Sequence, residues 1–433
     1  MTTDNQKHVP SSRMIAVRAL GRILSTGELL EDSLSSDRFY PHLDPRDRAF
    51  VRLLVSTSLR YKGQIDKVLT GFIDRSPPAF VHNVLRLGAA QILVLGTADH
   101  AAVAESVELV KTHRKYGKFS GFVNAIMRKL TQKGKAELAK TAPRENIPNW
   151  IYRSWEKHYG RGDARQMALE YQKIPPLDIT VKSDVKEWAE KLGGDVIFGH
   201  TVRLKNAGLV TELPGFQDGE WWVQDVSSSL PVLSMGEIKG KNILDMCAAP
   251  GGKTLQMANA GAQVTAIDKS VKRLKLLEEN LKRTSLSAEL VQADAVNWTG
   301  DKDGYDIVLL DAPCSATGTY RRHPDVLHHK NSGQIGALIK IQRQLLLSAV
   351  EKLRPDGLLV YCTCSLQVEE GEEQIEHFLQ QQNDFEAIRF SDEKWREFGN
   401  SGGYLRLLPH QMREKGGLDG FFIARLRRKT LEM

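Results

Sequence analysis

Two cysteines that follow predicted strands in the second half of the chain have the side chains best suited to nucleophilic chemistry. Cys314 lies in Asp311-Ala-Pro-Cys-Ser315, and Cys364 lies in Tyr361-Cys-Thr-Cys-Ser365. A thiolate can attack an electron-poor carbon and later be expelled, which divides one difficult reaction into two easier ones. A free thiol has a pKa of about 8.5 and needs activation. A neighbouring carboxyl group such as Asp311 can hold and protonate the ring under attack.

Two plainer interpretations of the cysteines exist. Free cysteine is among the most buried residue types, so a core position is the usual explanation. A zinc site needs close pairs of Cys or His, and only Cys362 and Cys364 come near that spacing, so we predict no metal. Four cysteines in 433 residues are too few for a disulfide framework and are typical of a reducing cytoplasm.

A turn of small residues follows an apolar run that predicts a strand at 242–246. Small residues let backbone N–H groups approach a ligand closely, and the following helix adds partial positive charge at its N-terminus. The turn ends like a P-loop, but the position where a P-loop needs its first glycine holds Cys247. The Gly-x-Gly-x-x-Gly pattern of dinucleotide-binding turns does not occur in it either. The turn comprises Cys247, Ala248, Ala249, Pro250, Gly251, Gly252 and Lys253.

Carboxylates follow the next two predicted strands. Asp268 stands 23 residues after Asp245, where a carboxylate can accept hydrogen bonds from the ribose hydroxyls of an adenosine-containing cofactor. A helix cap is the alternative, because a predicted helix begins at Ser270. Asp294 ends the third strand and is placed to meet the adenine or its ribose. The small-residue turn and these two carboxylates together predict a nucleoside-cofactor pocket without a phosphate-binding loop. S-adenosylmethionine suits it better than ATP or NAD, since it contains adenosine and an amino acid but no phosphate.

Strands and helices alternate around these motifs. Such alternation indicates a parallel sheet covered on both faces, which binds ligands beyond the carboxyl ends of its strands, near the point where strand order reverses. The predicted fold class of this part is therefore α/β and Rossmann-like. Strands are predicted at 242–246, 264–268, 289–293, 306–310 and 358–361, and helices at 270–284 and 335–353.

The first half of the chain has other patterns. Apolar residues recur at helical spacing from 11 to 130, with Pro77-Pro78 and Gly96 marking the start and end of one helix, which predicts an all-α domain. Residues 131–148 are polar and contain glycine and proline, so they predict a linker. Residues 177–230 predict a small α+β module. Its strands are predicted at 177–181, 201–204 and 209–212, and its helix at 185–192.

Basic charge is concentrated in the first third. Residues 1–150 contain 23 Lys and Arg against 14 Asp and Glu, whereas residues 231–433 contain 27 of each. This excess suggests contact with a polyanion such as RNA, although a basic surface can serve solubility alone. No apolar run approaches the length of a membrane span, and residues 1–13 have no apolar signal region. We therefore expect a cytoplasmic protein without a membrane partner.

Together, these motifs resemble those of the RNA cytosine-C5 methyltransferases of the NOL1/NOP2/Sun family. The resemblance rests on Asp245-Met-Cys-Ala-Ala-Pro-Gly-Gly-Lys-Thr254, Asp311-Ala-Pro-Cys-Ser-Ala-Thr-Gly318 and Thr363-Cys-Ser365. In addition, Asp47-Arg-Ala-Phe50 and Arg60-Tyr-Lys-Gly63 are similar to the NusB-type helical domain that precedes the catalytic domain in a bacterial member. The resemblance covers nearly the whole chain.

The resemblance implies a domain order and an activity. An all-α NusB-like domain would occupy 1–140, a linker and an RRM-like α+β module 141–230, and a class I S-adenosylmethionine-dependent methyltransferase domain 231–433. The implied substrate is a cytosine of 16S ribosomal RNA, with tRNA or 23S ribosomal RNA as alternatives, and the implied state is a monomer. Two other classes stay open: a P-loop NTPase, and a non-enzymatic RNA-binding protein that would leave the strand-end cysteines without a purpose.

By position, the resemblance also implies roles for individual residues. Cys364 would be the nucleophile that adds to carbon 6 of cytosine, and Cys314 would assist the later release of the adduct. The turn 247–253, with Asp268, Asp294 and Asp311, would line the cofactor pocket. Cys362 stands where the family often has a small residue. Outside these motifs, Arg321 and Arg322 are candidates for contacts with RNA phosphates, and structural ion pairs explain them equally well.

Overall fold

The computed structural model of the protein describes residues 10–205, 207–300, 303–329, 332–398, 400–401 and 403–429. The chain divides into two compact units. The first comprises residues up to 173 together with 322–330, and the second comprises 174–321 and the residues from 331 onward. The first unit therefore extends past the predicted boundary at 140, and the second joins the α+β module to the Rossmann-like part.

Helices build the first unit around one apolar core, as the sequence predicts. The helices of this unit are α1 (Ser12–Thr26), α2 (Leu30–Ser35), α3 (Pro45–Arg60), α4 (Lys62–Thr70), α5 (Ala79–Leu93), α6 (Asp99–Lys111), α7 (Ser120–Lys129), α8 (Lys135–Ala139) and α9 (Asn149–Tyr171). The Ser11 side chain caps α1 by accepting a hydrogen bond from the Met14 amide, and Gly27 ends that helix with a φ of 69°. Pro78 precedes α5, so the predicted helix start is confirmed.

The segment 131–148, which the sequence predicts as a linker, belongs to the helical unit. It contains a π-helical turn, α8 and a 3-10 turn. The backbone N–H of Gln64 donates to Asn146 Oδ1 at 2.9 Å, and the side-chain Nδ2 of Asn146 donates to Gln64 Oε1 at 2.8 Å. A Cβ atom on Gly63 would lie 1.7 Å from the carbonyl oxygen of Glu145, so only glycine permits this approach. The linker prediction is wrong because polar composition does not reveal such long-range hydrogen bonds.

The second unit contains a small antiparallel sheet of order β2-β3-β1-β4. Its elements are β1 (Leu177–Val181), α10 (Val185–Leu192), β2 (Asp195–Phe198), β3 (Thr201–Leu204) and β4 (Trp221–Val223). The strand predicted at 209–212 is instead a 3-10 turn, Val210–Glu212. That prediction is wrong because four alternating residues do not reveal whether a neighbouring strand pairs with them.

A buried arginine explains why the small sheet belongs to the second unit. Arg203 and Asp178, both in the small sheet, form a bidentate ion pair with two N–O distances of 2.6 Å. Arg203 Nη1 also donates to the carbonyl oxygens of Lys415 and Gly417, at 2.9 and 2.6 Å. The arginine therefore joins the small sheet to a loop near the end of the chain.

The large sheet of the second unit is parallel in its centre and antiparallel at one side, with order β11-β12-β13-β9-β8-β5-β6-β7 and β10 beside β13. The helices and strands of this part of the second unit are α11 (Val226–Leu233), β5 (Asn242–Met246), α12 (Gly252–Asn259), β6 (Gln263–Asp268), α13 (Val271–Thr284), β7 (Glu289–Gln292), β8 (Tyr305–Asp311), α15 (Ser332–Glu351), β9 (Leu353–Thr363), α16 (Glu372–Gln381), β10 (Phe385–Ala387), β11 (Asn400–Ser401), β12 (Tyr404–Leu407) and β13 (Phe421–Arg428). Between β8 and α15 the chain forms α14 (Val326–His329), which is part of the first unit. The five predicted parallel strands are confirmed. Strand order reverses between β5 and β8, which pair in parallel.

Helix α14 belongs to the first unit, although it is far from that unit in sequence. Asp325, just before α14, accepts hydrogen bonds at its Oδ2 atom from the Leu30 amide and His329 Nε2, both at 3.0 Å. Burial would raise the pKa of Asp325, but these two contacts hold that pKa below its usual value. The Tyr171 hydroxyl donates to the carbonyl oxygen of Pro324 at 2.8 Å. This segment is therefore fixed within the helical unit.

Candidate active site

The small-residue turn lies at the carboxyl end of β5, where strand order reverses. Cys247 has a φ of 64° and Gly251 a φ of 107°. A Cβ atom on Gly251 would lie 2.1 Å from Leu277 Cδ1, so glycine is required there for both conformation and space. Helix α12 begins at the next residue, Gly252. The turn and the N-terminus of α12 therefore bring backbone N–H groups to the edge of the sheet where ligands bind in this class of fold.

Asp245, in β5 just before the turn, is fully buried and was not among the predicted site residues. Its Oδ2 atom accepts a hydrogen bond from the Thr254 hydroxyl at 2.6 Å. Its Oδ1 atom has no hydrogen-bond partner within the described part of the chain. Burial raises the pKa of Asp245 to about 7. A buried polar atom without a partner calls for an explanation, and a polar ligand at this turn would supply one.

The structure places Asp268 and Asp294 after neighbouring parallel strands but in different surroundings. Asp268 is 3% exposed, and its carboxylate accepts hydrogen bonds from the amides of Ala249 at 3.2 Å and Ser270 at 2.9 Å. It therefore fixes the turn and the residue before α13, whereas the cap of that helix is Ser270, whose side chain accepts a hydrogen bond from the Arg273 amide. Asp294 is exposed, and its Oδ1 atom accepts a hydrogen bond from the Val296 amide at 3.0 Å.

Lys253 and Asp311 connect the turn to the end of β8. The distance between Lys253 Nζ and Asp311 Oδ2 is 2.8 Å, and Lys253 Nζ also donates to Ser228 Oγ at 3.1 Å. Burial would lower the pKa of Lys253, but Asp311 outweighs this effect, so that the pKa is raised and the lysine stays charged. Asp311 Oδ1 lies 3.6 Å from Cys362 Sγ. The ion pair fixes the position of the carboxylate, which can accept further hydrogen bonds.

The two cysteines predicted as catalytic meet at the ends of neighbouring strands. The Sγ atoms of Cys314 and Cys364 are 3.5 Å apart, and both side chains are half-buried. The hydrogen bond with Cys364 and burial raise the pKa of Cys314 well above its usual value. Burial and Asp311 do the same for the pKa of Cys362, and burial raises the pKa of Cys247 to about 12. Burial therefore favours the neutral thiol at Cys247 and Cys362.

A buried glutamate that the sequence analysis missed joins the two cysteine loops. Glu370 is fully buried, and its carboxylate accepts hydrogen bonds from the Ser315 amide at 2.9 Å and the Ser365 hydroxyl at 2.6 Å. Ser315 and Ser365 directly follow Cys314 and Cys364. Glu370 therefore fixes both loops at the residue next to each cysteine. Its position in an acidic run gives no sequence signal that separates it from its neighbours.

Arg321 has a structural role. It is 1% exposed and donates hydrogen bonds to the carbonyl oxygens of Leu418 at 2.9 Å and Gly416 at 2.5 Å. A phosphate contact by Arg321, one of the two alternatives left open by the sequence, is therefore wrong. Arg322 is half-buried and belongs to the first unit.

None of the helices that the structure describes is long and apolar enough to cross a membrane. Within the same residues, no group of three or more His, Cys, Asp or Glu side chains could hold a metal ion.

Comparisons with known proteins follow the division of the chain into two parts. Residues 233–427 match the family model described as 16S rRNA methyltransferase RsmB/F, and residues 10–132 match the NusB family model. The chain is 33% identical over 437 residues to the Ribosomal RNA small subunit methyltransferase B of Xanthomonas campestris pv. campestris, an alignment that covers 96% of this chain and 97% of that protein.

Solved structures share the fold. The crystal structure of PH0851 has a TM-score of 0.76 and 22% identity to this chain, and the match covers 96% of this chain and 99% of that one. The structure of NSun6 from Pyrococcus horikoshii has a TM-score of 0.56 and 21% identity, and the match covers 65% of this chain and 98% of that one. The predicted order, an all-α NusB domain and then a Rossmann-like methyltransferase fold, is confirmed. The chain therefore belongs to the family of ribosomal RNA small subunit methyltransferase B, whose members are S-adenosylmethionine-dependent rRNA methyltransferases.

Proposed function

We propose that this protein transfers a methyl group from S-adenosylmethionine to carbon 5 of a cytosine in 16S ribosomal RNA, through a covalent adduct with Cys364. The observation that carries the proposal is the cysteine pair, whose Sγ atoms are 3.5 Å apart on loops held by one buried carboxylate. The matching family and the relatives, which are named for the methylation of small-subunit ribosomal RNA, support the substrate class.

The residues around the turn fit S-adenosylmethionine, which supplies a methyl group on a positively charged sulfur. The proposal assigns backbone N–H groups of the turn 247–253, with the unpartnered Asp245 Oδ1 nearby, to the polar groups of the cofactor. Asp268 accepts hydrogen bonds from the ribose hydroxyls with the lone pairs that its two amide contacts and its ion pair with Arg273, at 3.3 Å, leave. Asp294 meets the adenine or its ribose, and Asp311 lines the pocket from β8.

Covalent catalysis is needed because carbon 5 of cytosine is a weak nucleophile. In the proposed sequence, the Cys364 thiolate forms a bond to carbon 6, and the ring electrons then make carbon 5 nucleophilic. Carbon 5 forms a bond to the methyl group as the bond from that group to the sulfur of the donor breaks, which leaves a neutral thioether. The carbon-5 proton is then lost to water, and the electrons of its bond expel the Cys364 thiolate from carbon 6, which restores the ring. The target base has to leave its stack to reach the cysteines, so an accessible loop or junction of the RNA is the expected site.

Two side chains assist these steps in the proposal. Cys314 is held as a neutral thiol beside Cys364, since its pKa is raised, and a neutral S–H group can donate a hydrogen bond to the departing sulfur. Asp311, paired with Lys253, holds the base by accepting a hydrogen bond from it. Protonation of the ring by Asp311 stays a prediction from the sequence.

Bisulfite sequencing of RNA treated with the protein and S-adenosylmethionine tests the substrate and the product together. We expect a cytosine of 16S ribosomal RNA to become resistant to conversion, and no such cytosine without the protein. Resistance confined to tRNA or 23S ribosomal RNA would contradict the assignment to the small subunit. Methyl groups on RNA without any resistant cytosine would contradict methylation at carbon 5. The monomeric state stays a prediction that sedimentation can check.

A further inference from the structure

The net positive charge of the first part of the chain comes mostly from a short segment. Between Glu108 and Glu137 the sequence has eight Lys and Arg residues and no Asp or Glu. Residues 1–150 as a whole have a net charge of +9, so this segment accounts for nearly all of it. We call residues 109–136 the basic segment. It runs from the end of α6 through α7 to the start of α8.

Aromatic side chains of the basic segment pack against one another and against Phe80 of α5. Phe80 stacks on Tyr116 with ring centroids 5.2 Å apart and an angle of 11° between the planes. His113 packs against both rings, with centroids 4.4 Å from Phe80 and 4.7 Å from Tyr116, so that the three rings form a compact cluster at one end of the row. Phe119 and Phe122 continue the row at centroid distances of 6.5 and 6.4 Å. These five side chains, which we call the ring row, are all half-buried rather than enclosed in the core.

Positive side chains accompany the ring row. Lys115 Nζ lies 5.5 Å from the centroid of Tyr116, and Lys118 Nζ lies 5.7 Å from that of Phe119. Both lysines are exposed, and neither pairs with a carboxylate of any residue that the structure describes. By contrast, Arg86 in α5 is neutralised by Asp66 at 2.6 Å. The charge beside the ring row is therefore available to an anionic partner.

We infer that the ring row and its lysines form a platform for a single-stranded segment of RNA, with unpaired bases stacked on the rings and phosphates against Lys115 and Lys118. Bases stack well on aromatic side chains only when they are unpaired, because a duplex covers their faces. Solubility explains the lysines but not a row of partly exposed rings among them. The inference rests on the proposed function, since it names the surface that holds the RNA substrate.

Three double variants of the full chain separate stacking from charge. Tyr116→Leu with Phe119→Leu removes two ring faces and keeps apolar volume. Lys115→Gln with Lys118→Gln removes two charges from the platform. Lys186→Gln with Lys239→Gln removes two exposed charges from the second unit and serves as the matched control. The probes are a mixed-sequence single-stranded oligoribonucleotide and the same strand annealed to its complement, and affinities are measured over a range of salt concentrations.

We expect the ring variant to weaken single-strand binding by about tenfold or more, as removal of base stacking does, without changing its salt dependence. The lysine variant should make the dependence of log K on log salt shallower by about 0.7 for each phosphate that is no longer neutralised. The control should bind like the wild type. Thermal denaturation shows whether the variants are folded. If both folded platform variants bind the single strand with the same affinity as the wild type, the inference is overturned. Equally weakened binding of single strand and duplex by the ring variant would overturn the stacking mode.

Methyl transfer distinguishes failure of the platform from failure of the proposed function. At saturating ribosomal RNA, the platform variants should have the kcat of the wild type, because the cysteine loops are in the second unit. Over a range of RNA concentrations they should show a raised KM, because the platform holds the RNA. An unchanged KM would count against the platform while leaving the methyltransferase assignment intact. Absence of transfer by the wild type would contradict the proposed function, and the binding comparison would still decide on the platform.

Discussion

Glu370 shows how one buried side chain can control the geometry of two others. Its carboxylate holds the residue after each cysteine, and Gln342 Nε2 also donates to Glu370 Oε1 at 3.1 Å. A charged group that is buried without its partners is costly, but a carboxylate with several donors is stabilised by them. Glu370 is therefore a positioning residue that acts through the loops of Cys314 and Cys364.

Replacement of Glu370 by glutamine should impair methyl transfer more than cofactor binding. The amide has the size of the carboxylate but replaces one acceptor oxygen with a donor, so at least one hydrogen bond is broken, at a cost of about 1–3 kcal/mol in the free energy of unfolding. Single-turnover transfer and thermal denaturation measure the two effects. Glu373→Gln, at an exposed position of α16, is the matched control. A Glu370→Gln protein with wild-type single-turnover rates would show that the loops do not need this residue.

Asp245 should make the stability of the protein without cofactor depend on pH. Its pKa in the folded state is about 7 because of burial, which is above that of an exposed carboxyl group. The folded state therefore binds more protons than the unfolded state between about pH 4 and pH 7, and the contribution of this group is lost as pH rises through that window. Asp245→Asn can keep the hydrogen bond from Thr254 but cannot ionise.

Denaturant unfolding at the two ends of the window measures this effect. The free energy of unfolding of the wild type should fall relative to that of Asp245→Asn as the pH is raised. If the two proteins show the same pH dependence, the raised pKa of Asp245 is wrong.

At the scale of elements, Gly63 shows how a local sequence can hide a long-range contact. It lies in α4, where a glycine is normally unfavourable, and a Cβ atom there would meet the backbone at Glu145. We expect Gly63→Ala to destabilise the protein by about 1–3 kcal/mol, because a backbone atom has to move. Gly121 in α7 is the matched control, since a Cβ atom there meets nothing within 4 Å.

The two glycine variants should therefore change stability in opposite directions. Gly121→Ala is expected to be neutral or to stabilise the helix by up to about 1 kcal/mol. Thermal or denaturant unfolding of both proteins gives the comparison. Equal effects of the two substitutions would contradict the close packing of α4 against the segment that precedes α9.

The difference between local patterns and long-range contacts explains which parts of the structure the sequence predicts. Strand β5 and the turn after it are readable because a short apolar run followed by small residues is a local pattern. The cysteine pair follows from the rule that parallel strands end at one edge. The contacts of Asn146 with Gln64, and of Arg203 with the loop at Gly417, join residues far apart in sequence, so no local pattern reports them. Glu370 was missed for the same reason.

At the scale of the whole molecule, the first unit is not a continuous stretch of sequence. It includes α9 and the segment around α14 in addition to the NusB-like residues. Removal of residues 1–140 would leave α9 and α14 without the core on which this unit depends. Substitutions in the full chain are therefore a cleaner test of RNA binding than the truncation that the sequence alone suggests.

The charge of the molecule is also distributed unevenly along the chain. The formal charge of +7 looks like a weak general bias, but the catalytic part is balanced by count and the excess lies in one segment of the helical unit. This separation fits a protein in which one unit attracts RNA and the other carries the cysteines.

Covalent trapping of RNA tests the central claim most directly. Wild type, Cys314→Ala, Cys314→Ala with Cys364→Ala, and Cys314→Ala with Cys362→Ala are incubated with ribosomal RNA and S-adenosylmethionine, and adducts are resolved on a denaturing gel. The account predicts a stable adduct in Cys314→Ala and in its Cys362→Ala combination, and none in the combination with Cys364→Ala. An adduct that persists without Cys364, or that disappears with Cys362, would contradict the assignment of Cys364 as the nucleophile.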